Sequence, residues 1–215
     1  MKVYGIGGLG ADERVFSELR LDFEFIPISW ITPQDREPLS DYALRFSHQI
    51  DQSVPFSIIG VSFGGILALE LSKIIKPEKT IIISSAASRK DIPAAFRFIG
   101  KTGILNILPA ALLKPPPFVA RWFFGVNNSK HQTVLNSIIS ETEPSFLKWA
   151  VGEIVRWDSK EIPNALSRIH GSSDRLLHYS QKEEDVEVIE NGGHFMIMDR
   201  AKDVSKILNR TLAVN

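Results

Sequence analysis

Ser62 is the residue whose surroundings most clearly indicate chemistry. It stands at the centre of a G-x-S-x-G pattern with Gly60 and Gly64, between an apolar run and a stretch with helical apolar spacing. A serine on such a strand-to-helix turn takes a sparsely populated backbone conformation, and small residues two positions away on each side avoid a clash across the bend. The turn exposes the hydroxyl and places the Phe63 N–H at the positive end of the helix, where it can bind a developing oxyanion.

Two later residues supply what a serine nucleophile lacks. A serine hydroxyl needs a histidine to take its proton and a carboxylate to orient that histidine. Asp174 follows one predicted strand, and His194 follows the next after a pair of glycines. Because catalytic groups of doubly wound sheets gather at the carboxyl ends of strands, we expect Ser62, Asp174 and His194 to lie together as nucleophile, orienting acid and base.

Each of these residues also has a structural interpretation. Ser62 suits the N-cap of the following helix, although a cap alone does not require glycines on both sides. Asp174 follows Gly-Ser-Ser and could hold a turn through local hydrogen bonds, and His194 could be a turn or core histidine. His170, at a strand end, is interpreted as structural, with lining of the site as the alternative. We favour catalysis for the first three because their positions at strand ends agree.

The elements that must position these residues follow from alternating apolar runs and amphipathic stretches. This alternation predicts an α/β fold with a mostly parallel, doubly wound sheet. The predicted strands, about six, lie at residues 2–6, 23–29, 56–61, 80–84, 166–170 and 186–190, and the helices at 11–20, 39–52, 63–75 and 201–212. No strand pattern recurs between residues 86 and 162, where prolines separate several helical patches. We therefore predict a helical cap at residues 86–162 inserted into a core of residues 1–85 and 163–215.

The order Ser62, Asp174, His194, the turn around the serine and the two strand-end loops resemble the α/β-hydrolase family over nearly the whole chain. By this resemblance the glycine-rich loop at residues 5–10 is the oxyanion loop, and Leu9 gives the second oxyanion-hole N–H beside Phe63. Where the family usually has His-Gly in this loop, this chain has Gly-Gly. The resemblance therefore assigns the residue that gives the second oxyanion-hole N–H to within one position. The chain also begins at the family's third strand, which implies a sheet trimmed of its N-terminal hairpin.

The resemblance implies a serine hydrolase. The reaction it favours is hydrolysis of a small or medium apolar carboxylic ester through a Ser-His-Asp acyl-enzyme mechanism, with no metal and no organic cofactor. Two further alternatives stay open on the same fold: a non-catalytic ligand-binding or receptor module, and a lyase that uses the same triad. Two observations discriminate among the three: whether simple esters turn over, and whether a pocket of the cap holds polar groups aimed at a carboxylate.

The glycine loop allows a different enzyme class. Residues 5–10 satisfy G-x-G-x-x-G after a strand, which is the fingerprint of a dinucleotide site in an NAD(P)-dependent oxidoreductase. That fingerprint requires an acid at the end of the second strand, whereas Glu24 lies near its start. We retain this only as a minor alternative, because it also leaves Ser62, Asp174 and His194 without a role.

Composition is that of an ordinary globular chain. Basic and acidic residues are balanced at 25 each, so the net charge gives no indication of a nucleic acid or anionic membrane partner. There is no cysteine, which excludes a thiolate nucleophile, a disulfide framework and a cysteine-based zinc site. With neither a signal sequence nor a membrane span visible, we expect a cytoplasmic protein that binds a small ester-like substrate. The oligomeric state is left open.

The predicted cap is rich in aromatic residues. Of these, Phe118, Trp122 and Phe123 are interpreted as substrate-binding, with packing of the cap helices as the alternative. Between residues 86 and 130 there are seven basic residues and one acid, Asp91. This excess permits an anionic substrate, although solvated helix faces often carry such charges.

Overall fold

A parallel sheet forms the centre of the molecule. The computed structural model describes residues 1–159, 162–163, 165–177, 179 and 186–213; positions 160, 161, 164, 178, 180–185, 214 and 215 of the predicted cap and core lie outside the described residues. The strands are β1 Lys2–Ile6, β2 Phe25–Ile28, β3 Phe56–Val61, β4 Thr80–Ile83, β5 Leu166–Gly171 and β6 Val186–Ile189. They form one six-stranded sheet in the order β2-β1-β3-β4-β5-β6, and every neighbouring pair is parallel. The predicted fold class is confirmed.

Helices cover both faces of this sheet. The α-helices in the described ranges are α1 Leu39–Phe46, α2 Phe63–Ile74, α3 Ala94–Thr102, α4 Ile104–Ile107, α5 Pro117–Phe124, α6 Ser129–Glu141, α7 Pro144–Arg156, α8 Met196–Asp199 and α9 Ala201–Ala213. Within those ranges no helix has the length and apolar character that crossing a membrane would require.

The two hydrophobic cores lie on opposite faces of the strands. Successive side chains of a strand alternate between faces, so Val3 packs in one core and Tyr4 in the other. The central strand β3 is buried along its whole length, as expected for a parallel strand covered on both sides. The edge strand β6 is more exposed.

The strand order reverses direction between β1 and β3. The chain passes from β1 to β2 on one side and then returns to place β3 on the other side of β1. In doubly wound sheets this switch point opens a crevice at the carboxyl ends of the strands. The glycine loop after β1 and Ser62 after β3 both lie there.

The predicted helix at residues 11–20 is wrong. The structure has only a short 3₁₀ helix, Glu13–Phe16, which Asp12 caps by accepting a hydrogen bond from the Arg14 N–H. A second tight turn follows, in which the Leu19 N–H donates to the Phe16 carbonyl oxygen. These turns bury Val15, Phe16 and Leu19 as a helix would, so the apolar spacing did not distinguish the two conformations.

In the described part of the segment between β4 and β5, every regular element is a helix. It contains α3 to α7 and two 3₁₀ helices, Arg89–Asp91 and Ala110–Leu113. Both α3 and the second 3₁₀ helix pack against α7, which in turn contacts α2 of the sheet layer. That this segment acts as a cap stays a prediction.

Helix α2 begins in direct backbone contact with the carboxyl ends of β1 and β3. A Cβ atom on Gly64 would lie 2.3 Å from the Gly7 carbonyl oxygen and 2.4 Å from that of Ile6, and one on Gly60 would lie 2.3 Å from the Gly64 carbonyl oxygen. Backbone atoms cannot move aside as a flexible side chain can. The glycines of the G-x-S-x-G pattern are therefore required by packing.

We expect Gly64→Ala to lower the free energy of unfolding by about 2 kcal/mol or more, because overpacking against a fixed backbone strains the structure. Urea unfolding measures this change. Gly8→Ala is the matched control, since its Cβ would meet no atom closer than 3.6 Å, and it should change stability by no more than about 0.5 kcal/mol. Equal losses in the two variants would contradict the packing argument.

Candidate active site

Ser62 occupies a strained turn between β3 and α2. Its backbone angles are φ 52° and ψ −119°, a conformation that non-glycine residues rarely adopt. The Ser62 N–H donates to the Ile83 carbonyl oxygen at 2.9 Å, and the Ser62 carbonyl oxygen accepts from Ser85 Oγ at 2.7 Å. Ser62 occupies the N-cap position of α2, but its side chain makes no capping hydrogen bond to the helix.

The structure brings Ser62, His194 and Asp174 into one line of hydrogen bonds. His194 Nε2 lies 2.9 Å from Ser62 Oγ, and His194 Nδ1 lies 2.8 Å from Asp174 Oδ2. With Nδ1 protonated, His194 donates to the carboxylate and its Nε2 accepts from the serine hydroxyl. His194 and Asp174 are both buried, so solvent competes little with these contacts.

Asp174 holds a turn and binds His194 at the same time. Its Oδ1 accepts the N–H groups of Leu176 and Leu177 at 2.9 and 3.1 Å, which leaves Oδ2 for histidine. Burial alone would raise the pKa of Asp174, but the charge of His194 and hydrogen bonds from His170 and His194 outweigh it and hold the pKa well below its ordinary value. The carboxylate is thus held ionised and in one orientation.

His170 contacts the same oxygen of Asp174 as His194 does. Its buried Nε2 is 3.0 Å from the Leu177 carbonyl oxygen and 3.3 Å from Asp174 Oδ2. The contact with Asp174 is one that sequence reasoning missed. The signal available was the four-residue spacing between a strand-end histidine and an acid in the loop that follows, but the contact depends on how that loop folds back.

The glycine loop after β1 runs directly against the serine. A Cβ on Gly8 would be 3.6 Å from Ser62 Cβ. The Gly8 carbonyl oxygen accepts the Trp30 indole N–H at 3.0 Å, and Trp30 stacks on Phe63 with ring centroids 5.3 Å apart and planes 13° apart. Trp30 therefore connects the glycine loop, which contains Leu9, with Phe63, the first residue of α2. The backbone N–H of a first helical residue such as Phe63 has no acceptor within its own helix.

A small cavity of about 70 Å³ opens beside Ser62 and His194. Its other walls are mainly apolar: Gly8, Leu9, Ala11, Val15, Val61, Phe124, Leu135, Ile138, Ile139, Phe195 and Ile197. The ring of Phe124 also meets the His194 imidazole edge-on at 5.2 Å between centroids. A group bound to Ser62 Oγ would have an apolar recess next to it.

The three aromatic residues predicted to bind substrate lie elsewhere. Phe118 and Trp122 line a wider surface cavity that neither Ser62 nor His194 lines, and Phe123 packs edge-on against Trp122. Phe124, one of the aromatic residues of the predicted cap but not among the three selected, is the aromatic residue of α5 that lines the cavity at Ser62. Glycine at position 193 allows the end of α5 to approach His194 this closely, because a Cβ atom on residue 193 would lie 2.9 Å from the Phe124 carbonyl oxygen.

The glycine loop does not lead into a dinucleotide-binding helix. The only helix after it in this crossover is the 3₁₀ helix Glu13–Phe16, and its N-cap Asp12 already accepts the Arg14 N–H. A pyrophosphate needs free N–H groups at a helix N-terminus. The loop instead faces Ser62, which disfavours the oxidoreductase alternative.

Comparison with known families agrees with this architecture. The family model described as the alpha/beta hydrolase family matches residues 8–207. The chain belongs to the α/β-hydrolase family. None of the curated proteins is a significant match to this α/β hydrolase.

Solved structures share its fold at low sequence identity. A hydrolase from Oleispira antarctica is 17% identical with a TM-score of 0.72, covering 100% of this α/β hydrolase and 91% of that chain. A putative lipase from Acinetobacter baumannii is 13% identical with a TM-score of 0.70, covering 100% and 85%. A bromoperoxidase from Bacillus anthracis is 17% identical with a TM-score of 0.70, covering 99% of this chain and 91% of that chain. At these identities the likeness establishes the fold alone.

We expect acid to remove the stabilising contribution of the Asp174 carboxylate. Because the pKa of this group is lower in the folded than in the unfolded chain, its ionised form stabilises the fold above its ordinary pKa, and the contribution is lost as the pH falls toward the folded value. The difference in free energy of unfolding between wild type and Asp174→Asn should therefore shrink as the pH is lowered from about 6 to about 3. Urea unfolding at each pH measures it, and a constant difference would contradict the assignment.

Proposed function

We propose that this chain is a serine hydrolase that cleaves carboxylic esters with short apolar acyl groups. The hydrogen-bonded line from Ser62 through His194 to Asp174 supports the proposal most strongly. It combines a nucleophile, a base within reach of its proton and a carboxylate that fixes the base, beside a cavity that a substrate can enter.

In the first step His194 Nε2 takes the hydroxyl proton as Ser62 Oγ attacks the ester carbonyl carbon. Asp174 stabilises the imidazolium that forms, since its Oδ2 already accepts from Nδ1. The N–H groups of Phe63 and Leu9 stabilise the oxyanion of the tetrahedral intermediate. His194 then protonates the leaving alcohol, and the acyl group stays on Ser62 Oγ.

In the second step a water molecule replaces the alcohol. His194 removes one proton from the water as its oxygen attacks the acyl carbon, and the same oxyanion donors stabilise the second intermediate. The proton then returns from His194 to Ser62 Oγ, which leaves as the hydroxyl and releases the carboxylic acid. This chain's own residues carry out every proton transfer.

The cavity beside Ser62 sets the acyl size in this proposal. An apolar cavity of about 150 Å³ holds a benzene ring. The volume here is about 70 Å³, roughly half as much, and so fits an acyl group of about two to four carbons. Phe124, Leu135 and Ile138 come from α5 and α6, so the segment at residues 86–162 acts as a cap that closes the acyl side of the site.

We expect Ser62→Ala and His194→Ala to reduce kcat for p-nitrophenyl butyrate by about four to six orders of magnitude, because each removes a member of the proton-transfer line. Asp174→Asn should reduce it by about two to four orders. Steady-state kinetics of the purified variants measure these effects. His170→Ala should lower kcat far less, since His170 contacts Asp174 but, among the described residues, makes no hydrogen bond to Ser62.

Ser72→Ala in α2 and His48→Ala on the surface are the matched controls and should retain wild-type kcat. A wild-type chain that hydrolyses no simple ester would favour the silent binding module or the lyase. A loss in His170→Ala as large as in His194→Ala would overturn the choice of base.

The acyl preference gives a second prediction. Wild type should hydrolyse the acetate and butyrate esters of p-nitrophenol with higher kcat/KM than the octanoate. Phe124→Ala enlarges the cavity and should raise the octanoate-to-acetate ratio of kcat/KM by at least about tenfold, since each methylene accommodated contributes strongly to discrimination. Trp122→Ala, off the cavity, is the control and should leave the ratio unchanged. An unchanged ratio in Phe124→Ala would place the acyl group elsewhere.

A further inference from the structure

The helices between β4 and β5 carry a concentration of exposed apolar side chains. Six of the twelve large exposed apolar residues in the described part of the chain fall within residues 98–122, namely Phe98, Ile104, Ile107, Leu112, Phe118 and Trp122. Ile107 is 82% exposed, Phe118 75% and Leu112 70%. Single exposed apolar residues are normal on a protein surface, but such a cluster indicates an interaction site.

Every charged residue in the same part of the chain is basic. Residues 94–122 contain Arg97, Lys101, Lys114 and Arg121 and no aspartate or glutamate. Arg97, Lys101 and Arg121 form no ion pair with any residue that the structure describes. The balance of 25 basic and 25 acidic residues over the whole chain conceals this local charge.

The short elements that carry these residues follow one another along the chain. Helix α3 contacts α4, and both α3 and the 3₁₀ helix Ala110–Leu113 pack on α7. Only three residues separate that 3₁₀ helix from α5. We call the exposed side chains of residues 94–122 the basic apolar surface.

Charge decides what this surface can bind. In a symmetric dimer built on it, the cations of one copy would face those of the other, and like charges oppose association. The occupant must therefore be anionic, and it must also accept several apolar side chains that project into solvent. A protein partner would need a matching pocket for each of them, whereas a bilayer deforms around them and offers anionic headgroups to the lysines and arginines.

We propose that the basic apolar surface docks this protein onto an anionic lipid bilayer. The projecting apolar side chains enter the boundary between headgroups and acyl chains, and Arg97, Lys101 and Arg121 contact the headgroups. Binding is peripheral and reversible, and it agrees with a cytoplasmic protein because the cytoplasmic leaflet is anionic. The proposal does not depend on chemistry at Ser62, since docking is measured without a substrate.

Co-sedimentation with vesicles tests this docking. The full chain should bind vesicles of 70% phosphatidylcholine and 30% phosphatidylglycerol, bind pure phosphatidylcholine vesicles much less, and lose affinity in high salt, which screens the charges. Trp122 is 57% exposed and should shift its fluorescence to the blue on binding. Absence of binding to the anionic vesicles overturns the proposal.

Matched variants assign the binding to this surface. We expect Ile107→Ser with Leu112→Ser to weaken vesicle binding by at least about tenfold. Lys101→Glu with Arg121→Glu should weaken it by at least about 30-fold, since each basic residue near the bilayer contributes about fivefold. Leu44→Ser with Ile74→Ser and Lys202→Glu with Lys206→Glu make the same changes at exposed sites elsewhere and should bind as wild type does.

The remaining outcomes are equally decisive. Controls that lose as much binding as the variants of the surface overturn the proposal, provided that circular dichroism and Tm show all four variants folded. Self-association by analytical ultracentrifugation that the Ile107→Ser, Leu112→Ser variant abolishes would make the surface a dimer interface instead. Hydrolysis of p-nitrophenyl butyrate, a soluble ester, should be unchanged in that variant, so failure of docking and failure of the proposed esterase activity give separate results.

Discussion

The contact between the start of α2 and the strand ends of β1 and β3 is the constraint on which the site depends. Gly60 and Gly64 allow backbone to meet backbone there, with no space for a Cβ atom on either residue. This contact forces Ser62 into its strained conformation and directs its side chain away from the capping position of α2. It also brings the loop after β1 against the serine, so one packing requirement positions both the proposed nucleophile and the proposed oxyanion donors.

The rest of the site is built from loops that other backbone contacts fix. Asp174 is oriented by two N–H groups of its own turn, and His194 follows glycines that let the end of α5 approach. Trp30 connects the glycine loop to Phe63, through its hydrogen bond to Gly8 and its ring stacking on Phe63. The hydrogen bonds from Ser62 through His194 to Asp174 are therefore positioned by main-chain geometry more than by long side chains. Acyl transfer requires such preorganisation.

Sequence reasoning succeeded where local pattern and tertiary structure agree. Strands β1 and β3 have the predicted bounds because buried parallel strands are continuous apolar runs. It failed at residues 11–20, where tight turns bury the same side chains as a helix would. It also selected Trp122 and Phe123 over Phe124, since apolar spacing along α5 does not reveal which face the packing of α5 turns toward Ser62. The contact of His170 with Asp174 depends on a loop closure that no spacing encodes.

Intact-mass spectrometry after exposure to a fluorophosphonate tests whether His194 activates the serine at the turn. We expect one adduct on the wild-type chain that maps to Ser62 and does not form in Ser62→Ala or His194→Ala. A wild-type chain that stays unmodified at every reagent concentration, or an adduct that persists in Ser62→Ala, would contradict it.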